Sequence, residues 1–179
     1  MKWRALLICL SVIAQARQLP DSCKLPAAFQ DDIRNTPEAK VYDAIGAWFA
    51  ERGNLTCALA AFQEAVHVEP ASAEAHYDLG VAQVRMHQLA AAVREFRLAL
   101  KKKPDMMQAQ ESLGAVLLDM GHSDEAEAVF ESALAIDPNS IFVLDHLAQA
   151  LAAGRHYAAA IRYWNKALAL QPVRARCCG

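Results

Sequence analysis

The chain lacks an excess of either charge: 18 Lys and Arg stand against 20 Asp and Glu, for a formal net charge of −2. That excludes the basic footprint of a nucleic-acid binder, and a charged content of 21% excludes a disordered polyelectrolyte tail. C-x-x-C is missing, so neither a redox motif nor a zinc knuckle is supported. So are H-E-x-x-H, G-x-S-x-G, G-x-x-x-x-G-K-S/T and G-x-G-x-x-G. The histidines, His67, His76, His87, His122, His146 and His156, form no pair three or four residues apart, so no two share a helix face as metal ligands. Without a nucleophile, base and orienter that could converge, the reading is of a protein that is not an enzyme and needs no cofactor or metal.

Long apolar runs are also lacking, except at the very start. Lys2 and Arg4 precede an apolar stretch from Ala5 to Ala14, and Ala14-Gln15-Ala16 follows as small-x-small. This is the grammar of a secretory signal, with cleavage after Ala16. The stretch is short of the ~20 residues a membrane-spanning helix needs, so no stable span is expected after cleavage; the alternative is a buried or membrane-lying helix. Export implies an extracytoplasmic site, periplasmic or secreted. The exported chain keeps 16 basic and 20 acidic residues and Cys23, Cys57, Cys177 and Cys178, in a compartment where cysteines tend to pair. Cys23 with Cys57 is the pair to test, although four cysteines allow three connectivities and free half-buried thiols are the alternative.

What is abundant is self-similarity. Pro70, Pro104, Pro138 and Pro172 recur every 34 residues. Five residues before each stand Ala65, Ala99, Ala133 and Ala167; eight before, Phe62, Phe96, Phe130 and Trp164; twelve before, Ala58, Ala92, Ala126 and Ala160. Further back come Gly46, Gly80, Gly114 and Ala148. Each period splits into two amphipathic runs, 39–52 with 56–68, 73–86 with 90–102, 107–120 with 124–136, and 141–153 with 158–170. Small residues let two helix axes approach closely, and the aromatic eight before each proline is expected in the core. The prolines end each second helix because they lack an N–H and disfavour the helical form of the preceding residue. Gly53-Asn54 and Gly121-His122 are expected to supply left-handed helix stops, and Ser123 an oxygen cap.

On these residues, across 39–172, the chain resembles the tetratricopeptide repeat family. The resemblance implies an all-α fold, an α-solenoid of four helix-turn-helix units in a right-handed superhelix, with units at 39–72, 73–106, 107–140 and 141–174. Residues 1–16 are then the signal, 17–38 a lead-in segment that covers the first unit, and 173–179 a tail. His76 and Gln110 depart from the family pattern, where a large aromatic is usual, and are expected to loosen units two and three. Helix 158–170 lies last, and its apolar side is expected to be uncovered, which points to self-association there, to a partner, or to a longer parent chain.

The resemblance also implies that first helices line a concave face. Its places fall on Lys40, Asp43, Ala47, Ala50 and Glu51; on Glu74, Tyr77, Val81, Val84 and Arg85; on Gln108, Glu111, Ala115, Leu118 and Asp119; and on Phe142, Asp145, Gln149, Ala152 and Ala153. Asp43 and Ala47 stand where members that hold acidic chaperone tails place Lys and Asn. The groove read here is apolar along its floor, through Tyr77, Val81, Val84, Leu118 and Phe142, and acidic along its edges. It suits a peptide or helix of a protein partner with apolar anchors and some basic character; packing against the lead-in or a second copy is the bland alternative. The function so read is an exported, non-catalytic adaptor; the other readings are the repeat portion of a larger enzyme or secretion machine, or a self-assembling structural protein.

Overall fold

The computed structural model describes residues 19–35 and 38–171; the expected signal at 1–16, Cys177, Cys178 and the expected tail lie outside them. Among the described residues there are nine helices: α1 (Ala27–Asn35), α2 (Ala39–Glu51), α3 (Leu55–Val68), α4 (Ala73–Arg85), α5 (Leu89–Lys102), α6 (Met107–Asp119), α7 (Ser123–Ile136), α8 (Ile141–Ala153) and α9 (Tyr157–Leu170). The second helices all begin one residue before the places expected, and the first helices α2, α4 and α6 end one residue before, while α8 ends at Ala153 as expected. None of the described helices is long and apolar enough to cross a membrane.

The second helices start early because of how the turns are built. Gly53, His87, Gly121 and Arg155, each 34 residues apart, all take positive φ, at 74°, 57°, 80° and 65°. Only two of these residues are glycine, so two turns carry a side chain in the left-handed region. The residue that follows is not left-handed: Asn54 accepts from the Cys57 N–H through Oδ1 at 3.2 Å and caps α3. Ser72 and Ser140 cap α4 and α8 in the same way, at 3.2 and 3.4 Å. Ser123 is the first residue of α7 and makes no cap; His122 holds the cap position without a side-chain bond.

The chain divides into two compact units, with the boundary in sequence between Met86 and His87. In the first, Ile45, Phe49, Ala58, Ala61, Phe62, Leu79 and Ala82 form the core of α2, α3 and α4. The lead-in packs on it through Leu19, Leu25, Phe29 and Ile33, with Phe29 set edge-on to Trp48 at 6.1 Å. A Cys23–Cys57 disulfide, with Cα atoms 5.6 Å apart, ties this segment to the first turn of α3. In the second unit, Val93, Phe96, Leu113, Leu117, Phe130, Leu144, Leu147 and Leu151 are buried among α5 to α9.

Helix contact within a repeat depends on glycine facing an aromatic ring. A Cβ on Gly46 would lie 2.6 Å from Phe62, and one on Gly114 would lie 2.5 Å from Phe130. In the last repeat Ala148 already carries that methyl, and the opposite ring behaves differently. Trp164 is half-buried, not core as the repeat pattern implied, and its Nε1–H donates to Asp145 Oδ1 at 3.0 Å.

His76 and Gln110 also differ from expectation. Both are buried, and each reaches the carbonyl of the proline six residues earlier: His76 Nε2 lies 3.2 Å from the Pro70 oxygen, and Gln110 Nε2 donates to that of Pro104 at 2.9 Å. These polar residues fasten the turn between repeats.

Candidate functional site

The concave places are distributed over both units and are described within each. In the first unit, α2 exposes Lys40, Ala44, Ala47 and Glu51 along one stripe, while Asp43 is half-buried beside them. From α4, Tyr77, Val81 and Val84 are half-buried and Arg85 is exposed, its Nη2 donating to the Ala50 carbonyl at 3.3 Å. The apolar floor is therefore more sheltered than the sequence suggested.

The electrostatics of this unit concentrate on Asp43. Burial, and then the charges of Asp78, Glu69 and Glu74, push its carboxyl up from 3.8 to about 6. Its Oδ1 is buried and accepts no hydrogen bond. Asp78 is raised as well, by burial and then by Glu74. Lys40 and Arg85 share this face, yet neither supplies a cation to Asp43: no ion pair joins them among the described residues. Like charges at this spacing disfavour ionisation. Asp78 and Glu69 fall outside the five places carried over from the resemblance. A signal for Asp78 did exist, since Glu74 and Asp78 are four residues apart and so share a helix face.

In the second unit the places are largely engaged with one another. Glu111 Oε1 accepts from Ser140 Oγ at 3.3 Å, and Leu118 is half-buried with Asp119 exposed after it. Asp145 accepts from Trp164 through one oxygen and from Gln149 Nε2, at 2.7 Å, through the other. Phe142 stacks on His146 with ring centroids 4.0 Å apart. Phe142, Asp145, His146 and Trp164 line a cleft of about 400 Å³ between α8 and α9. Of these, His146 and Trp164 were not in the set read from the sequence. Among the described residues no three His, Cys, Asp or Glu side chains gather as metal ligands.

Two family profiles match this chain, one described as tetratricopeptide repeat over residues 78–141 and one described as TPR repeat over residues 46–86. The chain belongs to the tetratricopeptide repeat family. Its fold is the α-solenoid of that family, a protein-interaction scaffold. A crystal structure of MamA is similar over 80% of this chain and 85% of its own, with a TM-score of 0.75 and 24% identity. The structure of MamA 41-end from Desulfovibrio magneticus RS-1 is similar over 75% of this chain and 76% of its own, with a TM-score of 0.71 and 28% identity. Comparison with curated protein sequences finds no match.

Proposed function

We propose that this protein is a non-catalytic adaptor that holds a peptide or helix of a protein partner against its first helices, with a basic side chain of that partner beside Asp43. The observation that carries the reading is the buried Asp43 oxygen with no donor, set among Asp78, Glu69 and Glu74. A lysine or arginine there would satisfy the oxygen and relieve the mutual repulsion of the acids, which is a charge-assisted bond in a partly desolvated place. Half-buried Tyr77, Val81 and Val84 on α4 offer apolar surface for anchors on either side. We place the adaptor in an oxidising, extracytoplasmic compartment; the Cys23–Cys57 disulfide supports this, since such bonds persist there and are rare in cytosol.

The test is photo-crosslinking in cells from a reactive residue at exposed Ala47, with exposed Glu131 on α7 as the control position. Capture of one partner from Ala47, absent from Glu131 and lost with Asp43→Asn plus Asp78→Asn, is the expected result. Equal capture from both positions, or capture indifferent to the two carboxylates, overturns it.

A further inference from the structure

Each of the first three second helices carries a stripe of side chains spaced four, three and four residues apart, centred on an aromatic; Phe62 and Phe130 lie against Gly46 and Gly114 of the first helix before, and Phe130 also meets His146 of the first helix after. On α3 it is Leu55, Leu59, Phe62 and Val66; on α5, Leu89, Val93, Phe96 and Leu100; on α7, Ser123, Glu127, Phe130 and Leu134. Every one of these residues is buried or half-buried, because α4 packs on α3, α6 on α5 and α8 on α7. Such spacing averages about 3.7 residues, close to one helical turn, so the four side chains lie along one side of the helix and can meet a second helix.

In α9 the same register gives Tyr157, Ile161, Trp164 and Leu168. Like the stripes of α3 and α5 it carries no charged residue, and it is open: Tyr157 is 61%, Ile161 55% and Leu168 61% exposed. Beside it lies the α8–α9 cleft that Phe142, His146 and Trp164 line. One repeat earlier, the corresponding aromatic, Phe130, meets the ring of His146 from the next first helix at 5.8 Å and is fully buried.

The charges around the seam select among helices that fit it. From residue 141 to residue 171 the described residues include three basic ones, Arg155, Arg162 and Lys166, against the single acid Asp145, in a chain whose net charge is −2. Both oxygens of Asp145 are already engaged by Trp164 and Gln149. A second α9 would bring like charge to like charge. The helices that occupy such seams elsewhere are net acidic: α4 has Glu74 and Asp78 against Arg85, α6 has Glu111 and Asp119, and α8 has Asp145. In the nearest precedent, α6 lies on α5, which carries Arg94, Arg97, Lys101 and Lys102 against Glu95. We infer that the α8–α9 edge is a second binding surface, and that it takes an acidic amphipathic helix of a partner protein, laid on α9 as α6 lies on α5.

The probe is a capped, fluorescently labelled peptide with the sequence of residues 106–120, titrated against the full chain and followed by anisotropy. A peptide of this length is marginally helical alone, so the comparison between variants carries the result. Binding is expected, weakened about tenfold or more by Ile161→Asp or Leu168→Asp in the protein, by Glu111→Lys with Asp119→Lys in the peptide, and by high salt. Both protein substitutions fall on exposed positions and leave the fold intact. Asp43→Asn is expected to leave this binding unchanged, which separates it from the concave face. Equal binding of the charge-reversed peptide, indifference to Ile161→Asp and Leu168→Asp, or no binding of either peptide overturns the inference. So does light scattering that shows a dimer abolished by Leu168→Asp, which would make a second copy the occupant.

Discussion

At Arg155 the backbone takes φ of 65°, a conformation that costs an L-residue about 1 kcal/mol and glycine almost nothing. The arginine is exposed, and no hydrogen bond from its side chain is seen among the described residues. Arg155→Gly is therefore expected to stabilise the fold by about 0.5–1 kcal/mol, the smaller figure allowing for the extra freedom glycine gives the unfolded chain. Urea denaturation of the pair of proteins checks it. Asp43 makes a prediction of the other kind. Its carboxyl holds a proton to about 6 in the folded chain against 3.8 when free, so the native state binds more protons between those values. Stability then falls as pH rises through that window and is lowest above it. The group is half exposed, and with solvent screening the effect is about 1 kcal/mol. Asp43→Asn should raise the midpoint at pH 7, leave it alone at pH 4, and flatten the difference between them. Little of this scale was legible in advance. The two-glycine turns were plain, but nothing in the letters His87 or Arg155 announces a left-handed backbone, and the bonds from His76 and Gln110 to proline carbonyls need the folded turn to exist.

Helices were far more legible than single residues, because a 34-residue period repeats each boundary and each small-against-large contact four times over. Start positions slipped by one residue where a single turn residue, not two, makes the stop. The contact itself invites a test. With Phe130 fully buried and 2.5 Å from where a Gly114 methyl would stand, neither α6 nor α7 has room to give. Gly114→Ala is expected to cost about 1–3 kcal/mol by overpacking. Phe130→Ala should cost about 3–5 kcal/mol through lost burial and the cavity left behind. Trp164→Ala, at the same register, should cost about half as much as Phe130→Ala, since that ring is half-buried and partly open to the α8–α9 cleft. Thermal or chemical melts of the three variants decide the order; a Trp164 cost equal to that of Phe130 would mean the last repeat is packed like the third. The same comparison explains why the candidate site was only partly read. The places on α2 and α4 were carried over from the family resemblance, whereas the grouping of Asp43 on α2 with Glu69 after α3 and Asp78 on α4 depends on how these helices pack.

Over the whole molecule, stacked repeats contact mainly their neighbours, so stability is a sum of local terms and a local change stays local. The disulfide is the one long covalent constraint among the described residues, joining positions 34 apart. Closing a loop of that length lowers the entropy of the unfolded chain by an amount worth about 3–4 kcal/mol in the chain-entropy account. In the native state it holds Leu19, Leu25, Phe29 and Ile33 over α2 and α3. Reduction should therefore do two things. The folding midpoint should drop, and the loss of the tie should raise amide hydrogen exchange in residues 19–68, where α1 contributes most of its packing. Exchange in residues 107–170 should hold, because those amides lie in helices closed by their own neighbours in the second unit. Hydrogen exchange with mass spectrometry, before and after reduction, checks both. Uniform acceleration along the chain would show that the first repeat nucleates the rest, and that the array unfolds as a single cooperative body, in which case a partner bound at one edge would stabilise every repeat alike.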